Sequence, residues 1–592
     1  MTKFIKSNLF FFILLFLVVF AVYGKSVNFG ITNLDDDTLV IKNIDYLSHI
    51  NNIPNLFLTD CYLKKETQYY RPVLSLSFAI ETILFKGNLM IYHITNILLF
   101  VISLFSIFIF LSKLNFNKFI LKTFILIFAV HPVLSSVPVW IPARNDSLLI
   151  IFFILSLIKY INYLKSNKKT DFFLFIFFFL LSLFTKETTI FLILIYPLLS
   201  FCFDIKFTKK QLINIFTSVF IIFIVYFFLR QISVISTDTK LYITNWQYYL
   251  KNILFGVMLY IEDIFYPKHI PIMISNIKPT TLTYIINISL FTAFLFYTVL
   301  SKRRIKKIIL FALAFSFLAL FPTFLTKEYV FLSHRLITGL SGILIMLIIV
   351  FEGIIIKYKN ISKYLLIVFI FLFILFGFCS FMQIEKYKDS FYYWYNAYKD
   401  DPNYYVTCDG LATEYLNIQD FEKAKQLSLE AIKLNKNIDN CITYAKILFF
   451  TGETELSKQI FHQLSTLNKQ LTTIYSNLCD IYSFEKDIDK ALECAEKAVY
   501  YSNSIGDKIY SLEKLAKIYA VSGKYYDSLQ ILLDLIKYNK KANYYYIISL
   551  LYEDLNDYDN SNIFIIKALK LEPNNTDYIN QLKSISTKLS IK

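Results

Sequence analysis

A series of long apolar runs, broken by short loops that carry lysine, is the feature that most constrains this chain. A run of about 20 apolar residues matches the thickness of a bilayer. In lipid the backbone must satisfy its own hydrogen bonds, so such runs are helices. The first, Leu9–Val22, follows Lys3 and Lys6. No small-x-small cleavage site precedes Lys25, so this run reads as an uncleaved helix with its N-terminus in the cytoplasm. Further spans fall at 89–112, 120–140, 147–164, 171–184, 188–204, 211–229, 281–300, 308–325, 336–356 and 361–380, which makes about eleven transmembrane helices. Lys113/Lys118/Lys122, Lys165/Lys168/Lys169, Lys206/Lys209/Lys210 and the basic run 302–307 mark alternate loops, which the positive-inside rule assigns to the cytoplasm. Segment 246–266 carries Lys251, Glu262 and Asp263, and a full span there breaks the alternation. It is therefore expected as an interfacial or re-entrant helix. The C-terminus then lies outside, together with the loops 131–146 and 185–187 and a polar first loop, 25–88.

Composition supports an all-α membrane protein. With 592 residues, 56% hydrophobic, the chain is too long and too apolar for one soluble domain. The net charge of +16 sits mostly in short loops, where orientation requires it, and no basic-aromatic motif points to nucleic acid. Seven cysteines without a CxxC pair argue against zinc and thioredoxin-like sites. Cys408 and Cys441 hold equivalent positions in adjacent repeats. Neighbouring helices lie about 8–10 Å apart, while a disulfide needs Cα atoms within about 7 Å, so free thiols are expected.

From about residue 381 the long apolar runs stop, leaving a linker over 381–400 and repeats over 401–592. Small residues recur at 412, 445, 479, 516 and 549, spaced by 33, 34, 37 and 33, each with a second small residue twelve positions on. Leu411-Ala412 with Tyr415, Leu478-Cys479 with Tyr482, Leu515-Ala516 with Tyr519 and Ile548-Ser549 with Tyr552 share one pattern. A period near 34 with small residues at helix crossings is a tetratricopeptide array, an α-solenoid of about five helix pairs.

The candidate chemistry gathers on the outer side. Asp35, Asp36 and Asp37 are adjacent in the first loop, where like charges raise one another's pKa. The same side carries Arg71, His131, Arg144 with Asp146, Lys186-Glu187 and His334-Arg335. Taken singly, each has a plain structural reading: a solvated turn, a helix end, a snorkelling lysine. Taken jointly, carboxylates beside several cations suit a base facing an anionic, lipid-linked phosphate. The three carboxylates also offer oxygen ligands to Mg2+ or Mn2+, and metal use stays open.

Several motifs resemble a known family, the bacterial membrane proteins with C-terminal tetratricopeptide repeats, related to O-mannosyltransferases of the GT-C glycosyltransferase fold. They are Asp-Asp-Asp-x-x-Val-x-x-Asn at 35–43, Arg71-Pro72, Tyr92-His93-x-x-Asn96 and Phe128-Ala-Val-His-Pro132. Val139-x-x-x-x-Arg144-x-Asp146, Thr185-Lys186, Phe265-Tyr-Pro267, His334-Arg335 and Tyr387-x-Asp389-Ser390 follow in order. Arg71 stands where relatives often carry histidine, and Arg335-Leu336 where they carry Arg-Tyr. The resemblance implies a GT-C-like membrane domain over 1–380 and a polyprenyl-phosphate-sugar donor at the outer leaflet of a bacterial inner membrane. It also implies a periplasmic repeat domain that holds the acceptor, protein or glycan. By motif position Asp36 is the first choice for the base, with Asp37 or Asp35 binding acceptor or metal. Arg71, His131, Arg144, Asp146, Lys186 and Arg335 are expected to bind substrate.

Two other functions compete. A polymerase or ligase of lipid-linked oligosaccharides needs a large late outer loop, and the one at 326–335 is short. A scaffold that recruits envelope proteins through its repeats needs no acidic cluster.

Overall fold

The computed structural model describes residues 2–63, 67–234, 246–267, 270–275, 279–325, 330–358, 361–502, 505–538 and 541–591, so part of the loop 326–335 lies outside the described residues. The chain is helical, and the β pairing among these residues is one isolated bridge between Ile274 and Phe331. Contacts divide it into two units. One comprises Met1–Ile41, Ile53–Tyr62 and Thr67–Thr407; the other comprises Lys42–Asn52, Leu63–Glu66 and Cys408–Lys592.

In the first unit eight helices among the described residues are long and apolar enough to cross a membrane, or nine with one bent pair. That is fewer than the eleven expected, for local reasons. The expected span 120–140 breaks at His131-Pro132 into Lys118–Ala129 and Pro132–Val139, bent by 62°. Proline disfavours helical geometry in the residue before it, and His131 is accordingly extended at φ −76°, ψ 130°. The expected span 171–184 is a 17-residue helix, Lys169–Thr185. The expected span 188–204 is interrupted between Thr189–Leu192 and Ile195–Cys202.

The helices differ in how they are solvated. Ile141–Ser166 and Leu89–Lys113 form the centre, with 72% and 61% of their apolar windows buried. Lys209–Ser233, Thr281–Leu300 and Lys363–Tyr387 are buried by only 17%, 11% and 11%, and expose residues such as Phe216, Phe220 and Phe371. Helices apolar all round with one side unpacked leave a large apolar surface uncovered. Leu336–Lys357 approaches Arg303–Phe324 closely: a methyl group on Gly342 would overlap the Ala312 carbonyl oxygen and the Ser316 hydroxyl. That hydroxyl donates to the Gly339 carbonyl at 3.1 Å, a small-residue seam of the kind membrane helices use.

Segment 246–266 is the helix Trp246–Phe265, with Asn252, Gly256, Tyr260 and Asp263 buried and Trp246, Leu250 and Leu254 exposed. The stretch expected as a linker, 381–400, is ordered helix within the first unit. Asp389 caps Ser390–Asp400 by accepting the Tyr392 N–H at 2.9 Å. Asp401 accepts the Ser275 N–H and hydroxyl at 2.9 and 2.8 Å.

The second unit contains five antiparallel helix pairs, from Tyr405–Asn417 with Phe421–Leu434 to Ala542–Asp554 with Tyr558–Leu571, closed by Thr576–Ile591. The small residues twelve apart meet at the crossings and are buried in every pair. Where the second is serine it donates to the carbonyl of the first: Ser457 to Ala445 at 2.7 Å, Ser528 to Ala516 at 2.8 Å and Ser561 to Ser549 at 2.7 Å. All seven cysteines are free. Each turn within a pair has one residue in the left-handed region: Gln419, Gly452, Lys486, Gly523 and Asn556, at φ between 60° and 87°. The next position but one opens the second helix, and Asp420, Asp487 and Asp557 accept its third N–H as caps.

A Cβ at Gly452 or Gly523 meets no atom within 4 Å, so a substitution there is penalised by backbone conformation alone. Gly523→Ala is expected to destabilise the repeats by about 1–2 kcal/mol, the usual cost of the left-handed region for an L residue. Lys486→Gly is expected to stabilise them, because the same cost disappears there. Chemical denaturation followed by circular dichroism checks both; equal stability of the Gly523→Ala and wild-type proteins would refute the turn assignment.

Candidate active site

The residues expected on the outer side separate into two groups. Asp36 is buried and turned onto its own loop. Its carboxylate accepts the Thr32 N–H at 2.6 Å, the Thr32 hydroxyl at 3.0 Å, the Leu34 N–H at 3.3 Å and the Asp37 N–H at 3.1 Å. The first-choice base is therefore the residue that shapes the loop. Asp35, half-buried beside it, points elsewhere and accepts the Tyr62 hydroxyl at 3.0 Å. Burial pushes the Asp35 carboxyl up, while the Tyr62 hydroxyl and the charges of Arg71 and Arg335 pull it back. Asp37 is half-buried on the same short helix.

Arg71 reaches the same place. Its Nε donates to Glu187 at 3.0 Å and its guanidinium lies over the Tyr69 ring at 4.6 Å. Lys186 donates to Asp146 at 2.5 Å, and the second Asp146 oxygen lies 3.9 Å from His334 Nε2. Burial lowers the pKa of Lys186, Asp146 raises it, and Arg71 and Arg335 add to the lowering. Arg335 is half-buried and donates to the Val330 carbonyl at 3.3 Å. Asp35 and Lys186 thus each feel the charges of Arg71 and Arg335, although the four come from separate stretches of chain.

A second line of contacts supports this group. Trp140 donates its indole N–H to the Thr32 hydroxyl at 3.1 Å and packs on the His334 ring with centroids 5.1 Å apart. Asp36, Thr32, Trp140, His334, Asp146 and Lys186 form one continuous series. Tyr62, Thr32 and Trp140 were not among the expected site residues. A tryptophan, a tyrosine and a threonine in apolar or polar surroundings give no sequence signal until their partners are known.

Two expected substrate ligands stand apart from it. His131 is buried; Nε2 pairs with the Ile264 carbonyl at 3.0 Å and Nδ1 accepts the Val133 N–H at 3.2 Å, so one nitrogen caps the turn after the helix break and the other meets the helix Trp246–Phe265. Arg144 is fully buried: Nη1 donates to Glu81 at 2.7 Å, Nε to Asn96 at 2.8 Å and Nη2 to the Tyr92 carbonyl at 3.1 Å. Phe78 packs on its guanidinium at 4.5 Å. Asn96 in turn donates to the carbonyls of Trp140 and Ile141 at 3.0 and 3.2 Å. Arg144 is a core ion pair, and Glu81 owes its place in an apolar helix to it.

Among the described residues no three His, Cys, Asp or Glu side chains gather as a metal-ligand set. Asp36, facing inward, is why the adjacent carboxylates do not make one.

A tetratricopeptide-repeat family model matches residues 472–504 and 542–575. The C-terminal region is a tetratricopeptide-repeat array. No curated protein matches the chain. Among solved structures, YrrB, described as a TPR protein with an unusual peptide-binding site, is 12% identical with a TM-score of 0.26, over 32% of this chain and 97% of its own. The pilF product of Pseudomonas aeruginosa is 16% identical with a TM-score of 0.27, over 33% and 86%. A thermophilic TPR protein of Thermus thermophilus is 14% identical with a TM-score of 0.25, over 31% and 99%. Scores this low carry no argument about ligands.

Arg144→Met is expected to destabilise the protein by about 3–5 kcal/mol, because it leaves Glu81 buried and unpaired. Arg144→Met with Glu81→Met should recover most of that loss. Thermal melting in detergent distinguishes this from a donor-binding role, which predicts a native melting temperature for Arg144→Met.

Proposed function

We propose that this protein is a membrane glycosyltransferase of the GT-C type. It moves a sugar from a polyprenyl-phosphate-linked donor to an extracytoplasmic acceptor, protein or glycan, held by the repeats. The repeats, an interaction module, and the helices long and apolar enough to cross a membrane support this reading in part. The observation that carries it is Asp35: a carboxylate bonded to a neutral tyrosine, with Arg71 and Arg335 close enough to act on its charge.

In the proposed reaction Asp35 takes the proton of the acceptor hydroxyl. The freed oxygen attacks the anomeric carbon, the bond from that carbon to the phosphate oxygen breaks, and the lipid phosphate departs with the electron pair. Arg71 and Arg335 stabilise the charge that grows on that phosphate. Glu187 engages Arg71 through Nε, so the Nη pair is the phosphate-facing edge. A carboxyl raised by burial is a better base than an ordinary one, since general-base efficiency grows as the pKa approaches the working pH. Asp146 and Lys186 position the surrounding loops. The expected place is a bacterial inner membrane with the repeats on the periplasmic side.

A second reading, a scaffold without catalysis, draws on the repeats alone. Purified protein assayed for sugar transfer from a polyprenyl-phosphate-sugar separates the two. Asp35→Asn is expected to lower the rate by about 10²–10⁴, the usual contribution of a positioned base. Transfer requires ionised Asp35, so its acidic limb follows the Asp35 pKa. Tyr62→Phe removes a hydroxyl that lowers that pKa, and is expected to move the limb to higher pH. Near wild-type transfer by Asp35→Asn would leave the scaffold in the lead.

A further inference from the structure

Within the second unit the repeats hold a piece of the first loop, Lys42–Asn52. Asp45 pairs with Lys541, Oδ2 to Nζ, at 3.2 Å. Lys541, which precedes the first helix of the fifth pair, also meets Glu513 at 3.2 Å, from the first helix of the fourth. Gly506 opens that fourth-pair helix, and a Cβ there would sit 3.3 Å from Asn43 Oδ1 and 3.8 Å from the Lys42 carbonyl. Lys42 also acts electrostatically on Lys446, in the first helix of the second pair. Asn43 and Leu47 are buried. These contacts fall on the first helix of a pair, or on the residue just before it, so the segment lies along one face of the array.

We propose that Lys42–Asn52 is an intramolecular ligand of the repeats, and that an external polypeptide enters this face only by displacing it. Two features fit a peptide occupant. Gly506 lets the Asn43 side chain approach where a Cβ would crowd it. Lys541, held by Glu513, presents an ammonium to a carboxylate on the incoming chain. The partner class is thus an extended polypeptide with an acidic residue in the place of Asp45. The inference does not depend on glycosyl transfer.

Zero-length carbodiimide coupling of the full-length protein in detergent tests it. Asp45 and Lys541 should join as an amide with loss of water, found by mass spectrometry, with Lys425–Glu453 at 2.5 Å as an internal control. Asp45→Lys or Lys541→Asp alone should abolish the Asp45–Lys541 product, and the two together should restore it with the charges exchanged. Gly506→Trp should reduce it while the control pair is unchanged. Excess synthetic peptide with the sequence of residues 40–54 should suppress the internal product and itself couple to Lys541. Absence of the Asp45–Lys541 product when the control pair couples would overturn the docking. A peptide that fails to compete would overturn the exchange.

Discussion

A charge removed from water costs several kcal/mol unless a partner meets it, and the first unit is arranged around that cost. Its buried cations are matched one by one: Arg144 with Glu81, Lys186 with Asp146, Arg71 with Glu187. Each pair joins distant parts of the chain, so pairing and packing are one event. Arg144 fastens the short helix Pro72–Phe85 to the central helices; Lys186 fastens the end of Lys169–Thr185 to Ile141–Ser166. Asp35 stands outside this pattern. Among the described residues it has no ion pair within 4 Å, only a tyrosine hydroxyl and cations at a distance.

The sequence carried the repeats in full because their signal is local. A period of 33–37 and a small pair twelve apart are set by one helix crossing, and the serine hydrogen bonds show the same crossing from inside. Charge placement was legible only by half. Loop lysines and outer cations could be counted, but their carboxylate partners lie 40 to 116 residues away. That is why Arg144 resembled a phosphate ligand until Glu81 was beside it. Similarly, three adjacent aspartates read as one cluster, whereas the turn through Thr32 directs Asp36 inward and Asp35 towards Tyr62. The expected spans differ from the helices where backbone, rather than hydropathy, decides: at Pro132 and in the interrupted stretch 189–202.

The loop and the helix break are connected through Trp140. Its indole holds Thr32, which in turn organises Asp36, and its ring lies on His334 next to Asp146. One large side chain with a single donor thus relates the first loop to two later stretches. A tryptophan buried with its N–H satisfied is well suited to this, since its area packs and its polar edge fixes orientation.

The left-handed turns give the repeat array an uneven resistance to load. In a linear solenoid stability is a sum of local and nearest-neighbour terms. Glycine occupies the left-handed position in the second and fourth pairs and asparagine in the fifth, but glutamine occupies it in the first and lysine in the third. Pulled from its ends, such an array would yield at its first and third pairs while the second and fourth still hold.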